Sequence, residues 1–179
     1  MDADMLREGI FALKTRRFGK VTEIMISRLA KLQKAKDQFH DLYDDVNRHR
    51  AEVKFSVVAK KAEIPVNEDT VLKCIEQATH EERMVPFAGW RSYEFDCNIQ
   101  QVKRGEFDVL YYGLFFSDAI FIFKIDSGDI GPQIHYSDKQ HKGNVGEGQF
   151  HINQDILQFH VDRYLYKRLS YQELLDLLS

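Results

Sequence analysis

The chain has 179 residues, 44% of them hydrophobic and 12% aromatic. That suits one domain able to bury roughly 70% of its unfolded surface, and it excludes a disordered or fibrous protein. A net charge of −3 does not mark a nucleic-acid binder, although such binding needs local rather than global positive charge. No apolar run reaches the ~18 residues a membrane span needs, and Met1-Asp2-Ala3-Asp4 does not open a signal peptide, so a cytoplasmic protein with no membrane partner is expected. Cys74 and Cys97 lack a C-x-x-C spacing or a neighbouring histidine pair and read as reduced thiols, with no zinc expected.

Leu6, Ile10 and Leu13 recur at helical spacing and predict a helix from about Ala3 to Leu13, broken at Arg16-Arg17-Phe18-Gly19. A second helix is predicted over Lys20–Lys36 on the stripe Val21, Ile24, Met25, Leu29 and Leu32. Its other side carries Glu23, Ile26, Ser27 and Ala30. From about Gln38 to Val58 the pattern is a β-hairpin with a polar tip. Glu52, Lys54 and Ser56 alternate there with Val53, Phe55 and Val57. Beyond a loop, Asn67 caps a predicted helix running to about Glu82, with Val71, Leu72, Ile75 and Ala78 as its buried face. A short segment at Tyr93–Cys97 and a helical turn at Asn98–Lys103 follow.

Asp108–Phe116 and Ala119–Ile125 are almost continuously apolar, joined by Ser117-Asp118, and predict two central strands covered on both faces. Residues 127–148 are rich in glycine and polar groups and read as a long loop of the kind that carries function. Gln149–Asn153 predicts a short strand, Asp155–Arg168 a helix. Ser170 and Glu173 form a capping box opening a last apolar helix. The expected fold class is α/β (α+β), a central mixed sheet flanked by helices in a single domain over 1–179.

The hairpin carries the chemistry. If its loop is centred on Val46 and Asn47, Asp41 faces Glu52 across the two arms. Lys54 lies two residues from Glu52 on the same strand face, about 7 Å along it. Two facing carboxylates can share a divalent cation, and the lysine can reach the same water. Asp44 and Asp45 compete with Asp41 for the first position but lie at the hairpin tip. No H-N-H or H-x-x-x-H pattern supports a histidine–metal nuclease, and no GxxxxGK[ST] loop supports ATP hydrolysis.

Asp41 followed by Glu52-Val53-Lys54 resembles the D…(D/E)xK signature of the PD-(D/E)XK nuclease superfamily, with His40 where the family name has proline. The surrounding pattern is most similar to its type II restriction endonucleases, and the likeness extends loosely over residues 18–126. The resemblance implies a restriction-endonuclease-like core and Mg²⁺-dependent, sequence-specific cutting of double-stranded DNA to 5′-phosphate ends. It implies that Asp41, Glu52 and the backbone carbonyl of Val53 hold the ion, that Lys54 positions or deprotonates the attacking water, and that an acid on the first core helix joins the site. Glu23 is the candidate for that last role, if its helix is sandwiched so that Glu23 faces the hairpin; otherwise it is a surface acid. Ser56 is a candidate phosphate contact. Lys139, Gln140, His141, Lys142, Asn144, Gln149 and His151 carry donors suited to base edges and phosphates. A homodimer is expected because one site cuts one strand, and the resemblance alone implies a cognate DNA methyltransferase. A Holliday-junction resolvase of the same superfamily and a non-catalytic DNA-binding module with the same fold are the alternatives.

Overall fold

The two apolar runs form the middle of a six-stranded sheet. In the computed structural model, which describes residues 1–61, 64–139 and 145–179, the chain order begins α1 (Ala3–Ala12), α2 (Thr15–Ala30), β1 (Gln33–Lys34), β2 (Leu42–Asp44), β3 (His49–Val57). It continues α3 (Val71–Glu76), α4 (His80–Arg83), β4 (Asp96–Val102), β5 (Val109–Phe115), β6 (Ile120–Asp126), β7 (Ser137–Lys139), β8 (Val145–Asn153), α5 (Leu157–Tyr164), β9 (Leu165–Leu169) and α6 (Tyr171–Leu178). The large sheet has the order β1-β2-β3-β5-β6-β9. Only β3 and β5 run parallel, so the sheet is mixed. A smaller antiparallel sheet has the order β4-β8-β7.

Every residue of β5 is buried, as a strand covered on both faces requires. Leu110, Tyr112 and Leu114 pack with Cys97 and Ile99 of β4, Phe150 and Ile152 of β8 and Leu157 of α5. Val109, Tyr111 and Phe115 pack on the opposite face with Ile10 of α1, Met25 and Ile26 of α2 and Leu174 of α6. Three helices therefore cover one face, and the small sheet with α5 covers the other. Among the described residues no helix is long and apolar enough to cross a membrane. Cys74 and Cys97 are both free thiols, and burial pushes the Cys97 thiol up to about 12.

Several expected elements are corrected. The second helix begins at Thr15, not after Gly19, because Phe18 inserts beside Phe115 at a ring separation of 5.2 Å. Burying a phenylalanine is worth about 2 kcal/mol, more than the ~1 kcal/mol that a glycine costs a helix interior. The same helix stops at Ala30, where Lys31 adopts a left-handed conformation (φ 56°) and Leu32 N–H returns to Ser27 O at 3.0 Å. Its buried face is Phe18, Thr22, Met25 and Ile26, while Ile24 is exposed.

The helix expected over 67–82 is two short pieces, because Thr79 is extended and its side chain caps α4 by accepting Glu82 N–H. Val71, Leu72 and Ile75 are exposed rather than buried. Of the segment 98–103, expected to be helical, residues 98–102 lie within β4. The last turn of the helix expected to reach Arg168 is instead β9, paired to β6. Within the expected loop 127–148 the chain makes two 3₁₀ turns and β7 before entering β8. The expected α6 capping box is present, with Ser170 and Glu173 bonded reciprocally.

Candidate active site

The hairpin has the register expected from its sequence. β2 pairs with β3 as Leu42↔Ala51, Tyr43↔Arg50 and Asp44↔His49, so Asp41 and Glu52 are the next facing positions. Asp44 sets this turn. Its Oδ1 accepts the N–H groups of Val46 and Asn47 at 3.0 Å each, and its Oδ2 accepts Asn47 Nδ2 at 2.8 Å. The Asn47 side-chain bond, followed by its backbone bond, holds the Asp44 carboxyl below the usual carboxylate range. Asp44 is thereby committed to the turn, and Asp45 borders the neighbouring cavity while Asp41 lines the cleft, so the first acidic position falls to Asp41.

Asp41 sits just before β2 begins, and three bonds hold it. Its N–H donates to Ala51 O at 3.2 Å, and its carbonyl accepts Ala35 N–H at 3.2 Å. Its carboxylate Oδ2 accepts Val53 N–H at 2.9 Å, standing in for a backbone carbonyl of a longer β2. In a strand the N–H and C=O of one residue face the same edge, so the Val53 carbonyl is directed to the Asp41 side of β3.

Asp41, Glu52 and Lys54 open into one cleft of about 180 Å³. Lys54 Nζ is ion-paired with Glu52 and lies 3.8 Å from Asp41 Oδ2. Burial drives the Glu52 carboxyl up to about 7; Lys54 opposes the shift, and Asp41 and Glu106 add to it. The shift is chiefly the cost of burying the charged form, and the neighbouring Asp41 carboxylate adds to it. Mg²⁺ binds through one or two carboxylates and completes its shell with water and phosphate, so Asp41, Glu52 and the Val53 carbonyl fit that ion. Among the described residues no group of three or more histidine, cysteine or carboxylate side chains is placed to hold a metal.

The opposite wall of the cleft was not foreseen. It consists of Gln101, Lys103, Glu106 and Glu147. Lys103 Nζ lies 3.6 Å from Glu106 Oε1 and 3.7 Å from Glu147 Oε1. A bulge between Ile99 and Val102 puts one extra residue into β4, and Gln101 there takes φ 57°. The signal in the sequence was the alternation of Cys97 and Ile99; the bulge then makes Val102 follow Ile99 by three, which imitates helical spacing.

The remaining expected residues divide. Glu23 is on α2, which packs against the Val53 face of the sheet, opposite the face bearing Glu52 and Lys54. It is ion-paired with Lys20. The sheet separates it from the cleft, and its assignment to the site is corrected. Ser56 shares the strand face of Glu52, but its hydroxyl bonds to Val57 O at 3.2 Å and to the Cys97 thiol, away from the cleft. Gln149 and His151 follow Glu147 along one face of β8; Gln149 Oε1 accepts Asn98 Nδ2 at 3.0 Å, and His151 Nδ1 lies 2.9 Å from Asp96 Oδ1. Lys139 is exposed at the end of β7. Gln140, His141, Lys142 and Asn144 lie outside the described residues. Arg50 is engaged by Asp108 through bonds of 2.9 and 3.1 Å, which hold the Asp108 carboxyl down to about 2. Comparison with family profiles, with curated proteins and with solved structures gives no match for this chain.

Proposed function

We propose that this chain is a Mg²⁺-dependent DNA endonuclease with the PD-(D/E)XK core, of the restriction type and acting as a homodimer. The observation that supports it is the convergence of Asp41, Glu52 and Lys54 on one cleft, with the aspartate carboxylate bonded to the N–H of Val53 between the other two. Asp41, Glu52 and the Val53 carbonyl would hold the ion. Mg²⁺, when bound, supplies charge that stabilises the added negative charge on phosphate and acidifies a water. Lys54 positions the attacking water and compensates charge as it builds on the phosphoryl oxygens. The water oxygen bonds to phosphorus as the P–O3′ bond breaks, leaving a 5′-phosphate and a 3′-hydroxyl. The row Gln149 and His151, with Lys139, offers donors to base edges and phosphates. A methyltransferase protecting the same target belongs to this reading.

Long unmethylated DNA tests it, incubated with wild type and K54A, each with Mg²⁺ or EDTA. Wild type with Mg²⁺ is expected to give discrete bands, with K54A slowed at least about 100-fold. A smear would leave a nuclease without sequence choice, and intact DNA in every lane would remove the endonuclease assignment.

A further inference from the structure

A second cavity, of about 390 Å³, adjoins the cleft on the β1 side and is bordered by Lys34, Lys36, Asp37, His40 and Asp45. His40 lines both cavities and so joins them. It is 9% exposed, and its Nδ1 makes no hydrogen bond; Asp37 Oδ1 lies 3.2 Å away outside hydrogen-bonding geometry. A buried ring nitrogen without a partner costs free energy, so a ligand group that pairs with it binds with that advantage.

Phe39 stands at the junction. It lines the catalytic cleft, is 56% exposed, and is presented outward by an Asx turn in which Asp37 Oδ1 accepts its N–H at 2.9 Å. Lys34 and Lys36 are both exposed and lie two residues apart, with the ring three residues further on. Cations that follow a backbone, interleaved with a free aromatic face, are how proteins hold single-stranded nucleic acid. Asp37 and Asp45 share the wall, and Asp37 is engaged by the Phe39 turn.

We infer that residues 33–40 form a track for one unpaired DNA strand. Phe39 stacks on the base beside the phosphate in the cleft, Lys34 and Lys36 meet the phosphates beyond it, and His40 Nδ1 pairs with a polar atom of that nucleotide. The inference rests on the endonuclease reading for the choice of DNA. In an intact duplex each base face is covered by its neighbour, so Phe39 selects DNA with an unpaired nucleotide at the cut, whether a flap, a bubble or a flipped base. A restriction-type enzyme meets this requirement by flipping the nucleotide at the cut out of its duplex.

Binding is measured in EDTA, where nothing is cut, with 2-aminopurine oligonucleotides offered as single strand and as duplex. Wild type is expected to quench the single strand. F39A should bind it about 10-fold more weakly or worse, with F39W restoring binding and the duplex unaffected. The K34A/K36A pair should lower the salt slope by about 1–2. Equal single-strand affinity of wild type and F39A overturns the inference even if the protein cuts DNA. Single-strand binding that depends on Phe39, in a protein that cuts no DNA, keeps the inference and sinks the endonuclease reading instead.

Discussion

At the scale of single residues, the charge balance of the cleft turns on Glu52. Its carboxyl rises to about 7 in the fold, chiefly through burial, whereas in the unfolded chain it titrates near the ordinary value of about 4.3. The native state therefore binds the proton more tightly. The resulting stability is fully present below about pH 4 and is lost as pH rises to about 7, for a total on the order of 3 kcal/mol. Urea unfolding of wild type and E52Q between pH 4 and 8 should show the variant lacking this slope. Because a cation takes the ionised form, Mg²⁺ affinity should climb about tenfold per pH unit up to about pH 7 and then level off. Calorimetric titration showing an affinity independent of pH would take Glu52 out of the ligand set. Asp41, Glu52 and Lys54 were legible in the sequence because strand period and turn centre together determine which side chains face each other. Glu23 was not. A wheel shows that a helix has two sides, and only the observed packing of Thr22, Met25 and Ile26 decides which one meets the sheet.

At the scale of elements, the parallel contact between β3 and β5 depends on Gly113. It pairs with Phe55, and a Cβ there would lie 2.4 Å from the Phe55 ring and 2.1 Å from Phe121 O. The G113A variant should therefore lose about 1–3 kcal/mol of stability, read as a lower urea midpoint at unchanged slope. An unchanged midpoint would mean that the Phe55 ring and the Phe121 carbonyl both yield without cost. β5 and β6 were legible because strands buried on both faces are apolar without interruption. β4 was hidden by its bulge. β9 was hidden because four of its five residues are exposed, so no buried period distinguishes Leu165-Tyr166-Lys167-Arg168 from the helix before it. The helix expected at 67–82 misled for the opposite reason: Leu72 and Ile75 have apolar spacing but are 75% and 66% exposed, and spacing alone does not supply a surface to pack against.

At the scale of the whole molecule, the described chain carries one Asp41–Glu52–Lys54 cleft, while cutting both strands of a duplex takes two. Sedimentation equilibrium should give twice the mass of the chain, with duplex cutting lost on dilution below the dimer constant. A monomer that still cuts both strands would require a second, sequential encounter. The walls of the cleft also come from distant parts of the chain, Asp41 and Glu52 from the first third and Glu147 from the last. β3 gains its central position only when β5, more than fifty residues later, lies down beside it. During synthesis the first 60 residues thus carry the whole acidic pair and its lysine without the partner strand that buries them. On the endonuclease proposal, the cleft of a nascent chain would stay unassembled until most of the protein has left the ribosome, a built-in delay between translation and any cutting of the DNA of the cell that makes it.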